Sequence, residues 1–163
     1  MPSTGTYATA FYGCTGLETV ALPDGLTEIA ARAFSGCSKL VSVRLPSTLT
    51  SIGEYAFYDC KALADVVVPG KITTLSRSLF AGCTGLKSVT IPAGVKTIDS
   101  GAFNKCSALE SIELPEGLTT LGSQAFMNCS ALKSVRIPDG VTAIPNETFA
   151  IAAYSKRSNF PRP

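Results

Sequence analysis

The six cysteines of this chain fall at 14, 37, 60, 83, 106 and 129, so every interval is 23 residues, and each follows a phenylalanine by three positions and precedes a leucine by three. Aligned on that period, residues 10–149 hold six full units of the form A-F-x-x-C-x-x-L-x-x-V-x-L-P-x-x-L-x-x-I-x-x-x and the start of a seventh. One unit is too short to bury its own apolar positions, but stacked copies cover one another, so a period in the range of about 20–50 residues predicts a solenoid. Residues 1–9 carry Ser3 and Thr6 where the apolar pair belongs and read as a partial repeat or polar cap, and residues 150–163 as a C-terminal cap with a basic, proline-ended tail.

The columns of the repeat assign local structure. Val20, Val43, Val66, Val89, Ile112 and Val135 alternate with polar residues and with Leu22, Leu45, Val68, Ile91, Leu114 and Ile137, a period-2 pattern that predicts a strand with one buried face. Proline follows at 23, 46, 69, 92, 115 and 138; it donates no ladder hydrogen bond and so ends each strand at the same rung. Gly25, Gly94, Gly117 and Gly140 come two residues later and fit a tight turn, while Thr48 and Lys71 break that column and read as tolerance in the turn. A second apolar pair, such as Leu26 and Ile29, predicts a second short extended segment on the opposite side of the coil. Phenylalanines at 11, 34, 57, 80, 103, 126 and 149 occupy one column, and coils about 4.7–4.9 Å apart would stack them as an internal spine.

The run L-x-x-V-x-L-P, then L-x-x-I, then A-F-x-x-C resembles the BspA-type leucine-rich repeat, over nearly the whole chain. That resemblance implies a right-handed solenoid, mostly β and coil, with a parallel sheet on the concave side and short extended or 3-10 segments opposite. It also implies a setting, since such repeats occur in cell-surface and secreted proteins that attach to other proteins, and therefore a scaffold for adhesion.

The chain offers no chemistry of the usual kinds. It has no histidine, so the cysteines lack both a general base and the mixed ligand sets of zinc sites, and no C-x-x-C pair occurs. Phosphate-binding, dinucleotide-binding and hydrolase motifs are missing. The expectation is a non-enzyme with no catalytic, cofactor-binding or metal-binding residues, whose thiols form a free, buried column rather than three disulfides, because side chains in one column point the same way. A net charge of +2, with both signs interspersed, implies neither nucleic acid nor an anionic membrane as partner, and no apolar run is long enough to insert into a bilayer. Met1–Thr9 shows no signal-peptide pattern.

Function is therefore expected on surface columns facing a protein partner. Thr19, Ser42, Asp65, Ser88, Ser111 and Ser134 form a nearly uniform outward column, while Ala21, Arg44, Val67, Thr90, Glu113 and Arg136 differ at almost every coil. The candidate site is this varying column together with Asp65, with Tyr12, Tyr55 and Tyr58 as an alternative patch beside the phenylalanine turns. The leading expectation is a protein-interaction module of surface or secreted adhesion type. The alternative is an intracellular structural or accessory subunit of a larger assembly.

Overall fold

The computed structural model describes residues 10–152, which form a solenoid without α-helix. The expected caps at 1–9 and the basic tail from residue 153 onward lie outside the described residues. Counting each coil from the residue before its phenylalanine, coil 1 spans 10–32, coil 2 33–55, coil 3 56–78, coil 4 79–101, coil 5 102–124 and coil 6 125–147.

Each of the first four coils contributes a three-residue strand to the concave face: β1 (Thr19–Ala21), β3 (Ser42–Arg44), β5 (Asp65–Val67) and β7 (Ser88–Thr90). The opposite side carries two-residue strands: β2 (Glu28–Ile29), β4 (Ser51–Ile52), β6 (Thr74–Leu75), β8 (Thr97–Ile98) and β9 (Thr120–Leu121). All pairing is parallel and in register by one repeat, as in Thr19 opposite Ser42 and Asp65 opposite Ser88. Coils 5 and 6 keep only the bridge between Ser111 and Ser134 on the concave side, although their sequence pattern matches the others. Val135 and Ile137 of coil 6 are only half-buried, as are Val20, Leu22, Leu45 and Ile91 in the same columns.

Proline sets each turn in a way that goes beyond ending the strand. The carbonyl of every repeat proline accepts the amide three residues on, from Leu26 N to Pro23 O (3.0 Å) through Val141 N to Pro138 O (3.0 Å). The chain is thus reversed at the same place in each coil by a closed turn.

The phenylalanine column forms one continuous stack. Successive rings lie 5.2 Å apart at Phe11–Phe34 and at most 5.7 Å apart at Phe57–Phe80, with planes tilted by 19° or less. Phe57, Phe80, Phe103 and Phe126 are fully buried. Two residues per coil flank the spine in the left-handed region: Arg32, Tyr55, Ser78, Gly101, Gln124 and Glu147 before the ring, and Gly13, Gly36, Asp59, Gly82, Lys105, Asn128 and Ile151 after it. These bends turn the chain sharply enough to drive a large ring inward at each level.

Candidate binding surface

The thiol column is built into the core. Cys37, Cys60, Cys83, Cys106 and Cys129 are buried, Cys14 of the first coil is exposed, and none is in a disulfide. Each buried thiol donates to the carbonyl of the phenylalanine 26 residues earlier, as Cys83 Sγ does to Phe57 O at 3.1 Å. That carbonyl also accepts the amide of its own coil's cysteine, Cys60 N in this case. Cysteine therefore fills core volume and ties one coil to the next. Desolvation pushes the thiol of Cys37 up to about 11 and that of Cys129 up to about 12, and raises Cys83 and Cys106 well above the ordinary 9.0. Thiols held neutral and hydrogen-bonded are poor nucleophiles and poor metal ligands.

On the concave face the varying column and its neighbours are exposed, but the two ends of the face differ. In coils 5 and 6 two pairs of charges are engaged with one another, while Glu113 is in no ion pair among the described residues. Lys133 Nζ lies 2.7 Å from Glu110 Oε2, and Arg136 is paired with Glu116. The Lys133 ammonium holds the Glu110 carboxyl below its ordinary value. In coils 2 and 3 Arg44 and Asp65 are exposed and take part in no ion pair among the described residues. Beside them Val41 is 49% and Val67 65% exposed. Ala21 and Thr90 lie on the same face as exposed ends of β1 and β7, and Glu113 is exposed further along. Sequence reasoning placed all seven candidates on one face and gave them equal standing; the structure separates Arg136, which already has an acidic partner, from Arg44 and Asp65, which do not.

Between coils 2 and 3 the stack is partly open. β3 does not pair with β5, and β4 does not pair with β6, so both sides of the solenoid lose strand pairing at the same junction. Thr50 N donates to Thr27 O (2.8 Å), Lys96 N to Thr73 O (2.8 Å) and Thr119 N to Lys96 O (3.0 Å), but Thr73 forms no such bond to Thr50. At the next position Gly53, Asp99 and Gly122 donate a main-chain amide to the preceding coil, whereas Ser76 reaches Ile52 O only through its hydroxyl. The phenylalanine side of the same junction stays closed, with Phe34 N to Ala56 O at 2.9 Å and Gly36 N to Tyr58 O at 2.7 Å. The start of the strands is also closed, by Ala64 N to Val41 O at 3.2 Å.

Lys71 stands at the glycine position of the coil 3 turn, beside this junction. A Cβ added to Gly94 would lie 3.3 Å from Gly70 O, and one added to Gly140 would lie 2.7 Å from Leu118 O, so the turn of one coil rests on the carbonyls of the turn before it. Neither glycine has a left-handed φ; the column needs room, not conformational freedom. Thr48 departs from glycine but turns the close approach into hydrogen bonds, its Oγ1 lying 2.7 Å from both Asp24 O and Leu26 O. Lys71 has a Cβ and no hydroxyl, so it cannot make the bonds that Thr48 makes. A groove of about 540 Å³ lies at this junction. Val43 and Leu45 from coil 2 and Val67, Val68 and Pro69 from coil 3 line it, Arg44 and Asp65 form its rim, and Ser47 and Gly70 its turn end.

The tyrosine patch is only partly assembled. Tyr55 and Tyr58 meet edge to face at 5.9 Å, and the Arg32 guanidinium lies 5.1 Å from the Tyr55 ring centroid. Tyr12 is 61% exposed and shares its column with Ser35 and Tyr58, two coils from the latter.

Among known proteins, a model of the BspA type leucine rich repeat region matches six copies, over residues 4–110 and 73–162. A leucine-rich repeat protein of Bacteroides ovatus is 35% identical, with a TM-score of 0.72 over 74% of this chain and 34% of that one. A leucine rich cell surface protein of Faecalibacterium prausnitzii is 33% identical, with a TM-score of 0.69 over 78% of this chain and 35% of that one. A leucine-rich repeat protein of T. pallidum gives 33% and 0.69, over 78% and 70% of the two chains. The chain thus spans about a third of the length of the first two. No curated protein matches it.

Proposed function

Because the chain belongs to the BspA-type leucine-rich repeat family, we propose that it is a non-catalytic module that binds a protein partner through the concave face of coils 1 to 4, in a surface or secreted adhesion-type protein. The observation that carries this reading is the contrast along the face: in coils 5 and 6 Lys133 pairs with Glu110 and Arg136 with Glu116, while Arg44 and Asp65 stand without an ion pair next to exposed Val41 and Val67. Unpaired charge beside exposed aliphatic side chains is what a partner can use, since contacts that exclude water around an apolar centre dominate binding energy. The buried, hydrogen-bonded thiols and the lack of histidine support the non-catalytic part. The cell-surface description of the F. prausnitzii protein supports the setting. The second reading, a structural subunit inside a larger assembly, is favoured by the thiols, which need no oxidising compartment.

The test is quantitative affinity capture on the immobilised chain from two fractions of the native source, envelope with culture medium and soluble lysate. The wild type is compared with Arg44→Ala combined with Val67→Asp, and with Tyr12→Ala combined with Tyr55→Ala and Tyr58→Ala. A partner from the envelope fraction that the concave variant loses and the tyrosine variant keeps supports the proposal. Loss in the tyrosine variant alone moves the site to the turn face, and a partner found only in the soluble lysate favours the second reading.

A further inference from the structure

We infer that the opening between coils 2 and 3 is a docking slot for an extended peptide segment of the protein partner, which crosses the concave face and places one large apolar side chain over the seam of the two coils. The inference rests on the concave-face reading above and names what that face holds. The slot floor is aliphatic, from buried Val43 and Val68 with half-buried Leu45, and exposed Val67 stands beside it, so the group that rests there is uncharged. At about 540 Å³ the space falls within the range of about 300–1,000 Å³ found for sites that enclose small ligands. The bond between Ala64 N and Val41 O holds the coils together at the start of the strands, so the slot takes a side chain rather than an added strand.

The rim specifies the rest of the ligand. Arg44 on coil 2 offers only donors and Asp65 on coil 3 only acceptors, and neither is in an ion pair. A wholly acidic or wholly basic ligand would meet one of them with the wrong sign. A peptide main chain meets both, presenting a carbonyl to Arg44 and an amide N–H to Asp65 while its side chain points into the slot. Lys71 keeps the slot open, so glycine at that position, as in coils 1, 4, 5 and 6, lets the turn of coil 3 settle on that of coil 2 and closes it.

The experiment is a ¹H–¹⁵N NMR titration of the whole chain with the N-acetyl methylamides of phenylalanine, leucine and glycine. The phenylalanine and leucine probes are expected to shift the amides of Val67, Val68 and Gly70 saturably, with a dissociation constant on the order of millimolar, and the glycine probe is not. Lys71→Gly should slow hydrogen exchange at the Thr73 amide and weaken the response by at least about tenfold. An equal response to the glycine probe overturns the inference, as does an undiminished response in Lys71→Gly once Thr73 is protected. Should Thr73 exchange stay unchanged in that variant, Val67→Asp at an exposed position supplies the block, and a response that survives it is equally fatal. A protein partner lost on Arg44→Ala with Val67→Asp but retained by a closed Lys71→Gly would overturn the slot and leave the concave-face reading standing.

Discussion

Cys83 shows how one side chain can serve two coils: its Sγ donates to Phe57 O, a carbonyl that already holds the amide of Cys60. Replacing it with alanine removes both the donor and buried volume, and Cys83→Ala should cost about 1–3 kcal/mol in chemical denaturation. The neighbouring spine is worth more. Phe80 is fully buried between Phe57 and Phe103, so Phe80→Ala should lower stability by about 3–5 kcal/mol, with thermal melting as the measurement and a change under about 1 kcal/mol as the outcome that contradicts a core position. The opposite sign is expected at Lys105. It adopts φ 64° in the column where Gly13, Gly36 and Gly82 sit, and Lys105→Gly should raise the urea midpoint through about 1 kcal/mol of relieved strain, set against the glycine's extra freedom in the unfolded chain. The left-handed positions were hidden in the sequence, because tyrosine, arginine, lysine and isoleucine occupy them as well as glycine. Five of the six thiols were readable as buried from their spacing, Cys14 being exposed; their acceptors were not, since the bond crosses to another coil.

The single turn is the element whose composition decides the local geometry. Strand, proline turn and spine were legible because each repeats, and six aligned copies expose a pattern that one copy would conceal. The concave columns were legible for the same reason. What a column cannot show is which of its members already have partners, and Arg136 and Arg44 look alike until Glu116 is found beside one of them. The open junction was present in the sequence as two departures from glycine, yet telling Thr48 from Lys71 required the carbonyls beneath them. Amide hydrogen exchange checks this at the level of the element: Thr73 should exchange faster than Thr50, Lys96 and Thr119, which each donate to the preceding coil. Equal protection at all four would mean that the coils close in solution.

For the whole molecule, the thiol column makes stability depend on alkaline pH. In the unfolded chain cysteine loses its proton near its ordinary value of 9.0, whereas the folded values are about 11 at Cys37, about 12 at Cys129 and well raised at Cys83 and Cys106. Below 9.0 the contribution is fully present. Above it the unfolded state holds fewer protons than the native one, so stability falls as pH rises toward the folded values, by up to about 1.4 kcal/mol per pH unit for each fully buried thiol. Urea midpoints measured from pH 8 to about 11 should decline steadily, and replacing Cys83 and Cys106 together should flatten the decline. The solenoid's one-dimensional build gives the open junction a mechanical meaning. Coils hold only their neighbours, so a rod of this kind parts first where two neighbours share the fewest bonds. Stretched between coil 1 and coil 6, the chain should yield at the boundary of coils 2 and 3, the junction among these that has neither strand pairing nor a bridge, releasing the first two coils as one block before the remainder gives way. Lys71→Gly should move that first rupture to higher force. A tether built this way has a fuse, and it sits beside the place where the chain is expected to grip.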